Sequence, residues 1–168
     1  MTFQLSPNQR SIHNVSFPSI TQARIWKLRM EKTSTTEIAN NLNASLAYVS
    51  KTIRVTNKKV KLIIEDVARS NFVKLNKISD VYGFAIGFSP MLNRRAFISF
   101  QPSIGVHIWY EHEGTCPECP LQKQCSNLLN AEAEERKITI PDTLKAETEK
   151  ANYLIEQICA QIGWKIEF

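Results

Sequence analysis

The stretch TTEIANNLNASLAYVSKTIRV, residues 35–55, carries the spacing on which the fold turns. Two helices that cross closely need a small residue in the first, a residue tolerating the left-handed backbone in the turn, and a branched apolar residue in the second. Ala39, Asn43 and Val49 stand four and six residues apart in those three roles, with Ile38, Leu42 and Ile53 as apolar neighbours. Asn occupies the turn instead of Gly, and Asn enters the left-handed region several-fold more often than most residues. Thr35 or Thr36 is the expected cap of the first helix, 37–42, and Ser45 that of the second. The second helix carries Leu46, Val49, Ile53 and Val60 toward a core and continues through Leu62, Ile63, Ile64 and Val67 to about Ser70. Upstream, Ala23, Ile25, Trp26, Leu28 and Met30 predict a leading amphipathic helix over 21–32, after a polar arm punctuated by Pro7 and Pro18.

The rest of the composition narrows the function. The chain has 168 residues, 43% hydrophobic and 22% charged, an ordinary globular mixture. No run of eighteen apolar residues and no N-terminal export pattern is present, so the expectation is a cytoplasmic protein with no membrane partner. The net charge of +5 is unevenly placed: residues 1–77 hold thirteen Lys and Arg against four Asp and Glu, a net +9, and residues 78–168 hold eight against twelve, a net −4. A basic first half joined to an acidic second half points to a polyanion as the partner of the first.

The segment TQARIWKLRMEKTSTTEIANNLNASLAYVSKTIRVTNKKV resembles the helix-turn-helix of sigma-factor region four and of archaeal Tfx-like transcription regulators. The shared features are the Thr-Glu-Ile-Ala box, the turn, and the Val49-Ser50 pair followed by basic residues. That resemblance implies binding to double-stranded DNA with the third helix in the major groove. By position, the outer face of that helix is Ser45, Ala47, Tyr48, Ser50, Lys51 and Arg54, candidates for base edges and nearby phosphates. Lys58, Lys59 and Lys61 lie further along and suit phosphate contact. The competing reading is a chance trihelical pattern whose lysines form a solvated face.

After Asn71 the period becomes alternating. Residues 73–78, 82–88, 95–100 and 105–111 predict four strands of an antiparallel sheet. Gly83 and Gly87, four apart in a strand pattern, mark bulges or close packing sooner than a phosphate loop. A polar helix is expected over 121–135. A long helix opened by Pro141 and Asp142 follows, with Leu144, Ala151, Ile155, Ile158 and Ile162 on one stripe. The fold class is therefore α+β. Residues 1–71 form a helical DNA-binding domain with its linking helix, and residues 72–168 a sheet domain for metal sensing and dimerisation. The terminal stripe either pairs two copies into a homodimer, as palindromic half-sites require, or packs on its own sheet.

The stretch HEGTCPECPLQKQC, residues 112–125, places Cys116, Cys119 and Cys125 within ten residues. In a reducing compartment such spacing favours a shared metal over a disulfide. The spacing resembles the iron-sulfur loop of adenine DNA glycosylases of the endonuclease-three class, although their preceding cysteine falls on Trp109 here. It is also similar to the sensing cluster of the fumarate-nitrate oxygen regulators. That resemblance implies a 4Fe-4S cluster, with Cys159 as the distant fourth thiolate. Zinc competes, since His112 with the three cysteines would make a Cys3His site. Cys159 also reads as a small buried hydrophobe one turn from Ile155 and Ile162. Glu111, Glu113 and Glu118 crowd the loop, and His13 and His107 read as structural.

These readings combine into a sequence-specific transcriptional regulator, not an enzyme, whose metal centre senses redox or iron state. The alternatives are a DNA binder with a purely structural zinc site and a nucleic-acid-modifying enzyme with an iron-sulfur module. For the enzyme, no nucleophile elbow or carboxylate cluster stands at recognisable spacing.

Overall fold

The computed structural model describes residues 16–111 and 116–167. His13 and the arm before Ser16, and His112 and Glu113 of the cysteine loop, lie outside the described residues. Helix α1 (Ile20–Met30) opens on Ser19, whose hydroxyl accepts from the Gln22 N–H while the Gln22 side chain accepts from the Ser19 N–H. Helix α2 (Thr35–Asn41) is capped by Ser34, one residue before the expected threonines. The reason is Glu37: three residues on, its carboxylate accepts from the Ser34 N–H at 2.9 Å, completing a reciprocal cap that neither threonine could form with it. Leu42 closes α2, Asn43 takes φ +48°, and the Ala44 N–H returns to the Ala39 carbonyl at 2.9 Å. Helix α3 (Leu46–Ser70) then runs unbroken for 25 residues from its Ser45 cap.

The first half of α3 packs Val49 with Ile25, Ile38 and Ala39 into a small helical core. The second half turns Val60, Ile63, Ile64 and Ala68, together with Trp26 and Met30 of α1, onto a sheet. That sheet is a meander of β1 (Lys74–Ser79), β2 (Phe84–Ser89), β3 (Arg94–Gln101) and β4 (Gly105–Tyr110), antiparallel and in sequence order. The second strand starts two residues later than expected, because Gly83 at φ +58° still belongs to the turn. Its backbone passes so close to β3 and to the helical layer that a Cβ there would lie 2.6 Å from the Phe100 carbonyl oxygen and 2.9 Å from the Trp26 ring.

Alternation along the strands divides the side chains between two faces. Ala85, Ala96, Ile98 and Phe100 meet α1 and α3. Phe84 and Phe97 meet α4 (Gln122–Glu135) and α5 (Glu147–Ile162), which supply Leu129, Ala133, Leu154, Ile155 and Ile158. The result is three layers, helices on both sides of one sheet, which is why β3 is buried at nearly every position. One core crosses the boundary expected at residue 71. Trp26 of α1 is buried, packs edge-on to Phe100 of β3 and donates its indole N–H to the Asp80 carbonyl at 3.1 Å.

One expectation for the last helix changes. It begins at Glu147, not at Pro141, because the Lys145 and Ala146 N–H groups are capped by the Glu149 carboxylate, and residues 141–146 form turns in which Leu144 is only half-buried. Its apolar stripe lies on its own sheet, the second of the two expected arrangements, with Leu154 and Ile158 fully buried in one cluster with Phe84 and Phe97. Among the described residues, no helix is long and apolar enough to cross a membrane.

Candidate metal centre and nucleic-acid interface

Burying Val49, Thr52 and Thr56 turns the opposite side of α3 outward. Ser45, Ala47, Tyr48, Ser50, Lys51, Arg54 and Lys58 are all exposed. Ser45 is partly occupied as the helix cap, accepting from the Tyr48 N–H at 3.2 Å. The lysines beyond differ from one another. Lys59 is held against α1, donating to Gln22 Oε1 at 2.9 Å and to the Phe17 carbonyl, and Lys61 pairs with Glu65 at 3.7 Å. Lys59 is therefore committed inside the helical layer instead of standing free for a phosphate.

The cysteine loop folds onto the other side of the sheet. Residues Cys116–Glu118 form a short 3-10 turn, after which Cys119 leads into α4 with Cys125 in its first turn. Cys116, Cys119 and Cys125 line one cavity of about 250 Å³ whose walls include Phe97, Trp109, Leu121, Ala151 and Ile155. The cavity-facing residues of α5 are Glu147, Thr148, Ala151, Asn152 and Ile155, one helical face by spacing. The Cys116 thiol reaches Thr148 Oγ1 at 3.7 Å. Burial, then the nearby Glu147, Cys116 and Cys119, push the Cys125 thiol above its ordinary pKa. Cys159 is not in the wall. It lies one turn beyond Ile155, fully buried beside Phe84 and Phe97, and burial pushes its thiol up to about 11.

Two carboxylates share the cavity and are held differently. Glu111 is committed to Arg95, which donates to both of its oxygens at 2.8 and 2.5 Å. Glu147 is buried yet only loosely held, by Gln122 at 3.3 Å and Lys150 at 3.6 Å. Burial raises its pKa, but its own backbone N–H, Gln122 and Lys150 outweigh that and leave it below the ordinary value. Glu118 is exposed and outside the wall.

Beside the cavity lies a buried polar network that the sequence does not announce. Glu132 accepts from Arg136 Nε at 2.6 Å and from the Ser99 hydroxyl, and Arg136 Nη2 donates to Ser99 at 2.8 Å. With its amide oxygen turned toward the guanidinium, Gln101 accepts from Arg136 as well, at 2.8 and 3.1 Å. His107 stands 3.4 Å from Glu132 and edge-on to Trp109. Burial holds the His107 imidazole below its ordinary 6.5; Glu132 pulls it up and Arg136 pushes it down again. The unfolded chain therefore takes up this proton first as pH falls, so stability is full above about 6.5 and declines below it. The urea midpoint should drop between about pH 7.5 and 5.5, and His107→Gln should flatten that part of the profile. An unchanged profile in the variant would assign the drop to other groups.

Among the described residues, no three His, Cys, Asp or Glu side chains converge on a point as a single metal ion requires. Comparison with protein-family models, with curated proteins and with solved structures finds no match for this chain.

Proposed function

We propose that the chain is a sequence-specific, DNA-binding transcriptional regulator that lays α3 in the major groove of duplex DNA and carries an iron-sulfur cluster on its cysteine loop. The observation that carries the DNA reading is the α2–α3 junction. Ala39 and Val49 are buried against each other's helices, Asn43 is left-handed, and the seven outward residues of α3 are exposed with Lys51, Arg54 and Lys58 among them. This is the geometry by which a helix-turn-helix presents its second helix to base edges. The +9 charge of residues 1–77 supplies counterion release on the same half of the chain. Arg54→Ala should weaken preference for the cognate sequence, whereas Lys58→Ala should weaken all duplexes alike and reduce the salt slope by about one. Parental binding by both variants would move the interface off α3.

The three loop thiols line one cavity of about 250 Å³, room enough for a multi-atom group such as a 4Fe-4S cluster, with a Cys3His zinc site as the alternative. Trp109 is in the wall, and its indole N–H is buried without an acceptor among the described residues, a donor of the kind that suits the sulfide of a cluster. When bound, such a cluster supplies a redox- and iron-dependent state. The chain's own contribution is a path between that state and the DNA face. Helix α4 carries Cys125 near its start and Glu135 at its end, about 15 Å apart. Glu135 pairs with Lys27 of α1 at 2.5 Å, and Lys137 just beyond pairs with Glu31 at 2.8 Å. A shift of α4 at the cysteines is thereby delivered to the helix that packs behind α2 and α3. Two copies on a palindromic site complete the reading.

A further inference from the structure

We infer that Glu147 is the fourth protein ligand of the cluster, with Cys116, Cys119 and Cys125; this rests on the metal reading above and specifies its ligand set. The cavity-facing stripe of α5 begins at Glu147 and ends at Ile155. Cys159 continues that line one turn further, about 6 Å along the axis from Ile155, in the buried cluster that holds Phe84 and Ile158. Reaching the cavity from there would require α5 to slide along its axis and uncover Leu154 and Ile158, both fully buried. Glu147 needs no such movement. Glu147 lines the wall with all three loop cysteines, is more than nine-tenths buried, and its present partners are its own backbone N–H, a neutral amide and a lysine at 3.6 Å. The cavity's other carboxylate, Glu111, is already bound through both oxygens to Arg95.

Carboxylate oxygen is a harder and weaker partner for cluster iron than thiolate. The Glu147 corner is therefore the one at which an external thiol displaces the protein and at which iron loss begins. A regulator that reports iron supply needs one such exchangeable corner, and three thiolates on one short loop keep the rest in place.

The test is iron content and visible absorption of the full-length protein reconstituted anaerobically and desalted, for the parent and four variants. Glu147→Gln keeps the side chain's shape and should lose the iron at that corner, lowering retention from about four to about three irons per chain. Glu147→Cys should restore retention with a shifted visible band, which a merely structural role for Glu147 would not produce. Cys159→Ser should retain parental iron, and Cys119→Ser should lose it. Melting of the metal-free proteins should be alike for the parent and Glu147→Gln, separating ligand loss from misfolding. Parental iron in Glu147→Gln would overturn the assignment, and iron loss in Cys159→Ser would transfer it to that thiol. Iron retained by Cys119→Ser, or a parent that holds none, would instead overturn the cluster reading itself.

Discussion

Glu132→Ala is expected to cost about 3–5 kcal/mol of folding free energy, measured by urea unfolding of the metal-free protein. The cost does not come from the lost pair so much as from what it leaves behind. The Arg136 side chain is fully covered, and Glu132 is the carboxylate that balances it between α4 and the sheet. Without that carboxylate, a guanidinium remains in the layer with neutral partners, Ser99, Gln101 and the Phe84 ring, and no balancing charge among the hydrogen bonds of the described residues. Adding Arg136→Met to Glu132→Ala should recover more than half of the loss, because it removes the orphaned charge. A single-variant cost below about 1 kcal/mol would mean that Arg136 escapes to solvent.

Trp26→Ala is expected to cost a similar amount, about 3–5 kcal/mol, and for a different reason. Trp26 is the largest side chain at the seam between the helical layer and the sheet. Its ring fills the space that Gly83 leaves open, and its N–H satisfies the Asp80 carbonyl in the turn before β2. Truncation creates a cavity that Phe100 and the Gly83 backbone cannot collapse into without moving a strand. Trp26→Phe, which keeps most of the volume and loses the hydrogen bond, should cost less than half as much. If unfolding of Trp26→Ala split into two transitions, the helical and sheet layers would be independent units. A single transition at lower denaturant is the expected result.

What the sequence made legible was mainly local. Ala39, Asn43 and Val49 declare the α2–α3 junction because a tight turn constrains residues only four and six apart. The meander is readable because one period changes to another at Asn71. The elements that were not legible depend on contacts distant along the chain. Glu132 of α4 and its C-cap residue Arg136, four apart, look like an ordinary exposed helical pair, and Ser99, Gln101 and His107 on the facing strands make them a buried network. An apolar stripe such as that of α5 reads the same whether it covers its own sheet or a second copy. Glu147 was hidden for a related reason. A helix opened at Pro141 would have placed it in mid-helix, whereas capping through Glu149 makes it the first residue of α5, at the cavity rim. The cysteine spacing identified three thiols that the fold does bring to one cavity, and spacing alone could not place Cys159 outside the wall.

The central claim is that α3 is a duplex-reading helix, and the most direct test is the salt dependence of binding to a mixed pool of double-stranded DNA by the full-length protein. The expected result is binding at about 50 mM salt whose affinity falls with a log–log slope of about −3 or steeper, with Lys51→Ala and Lys58→Ala together flattening it by about two. Absence of binding at that salt, or a slope unaffected by both substitutions, would contradict it.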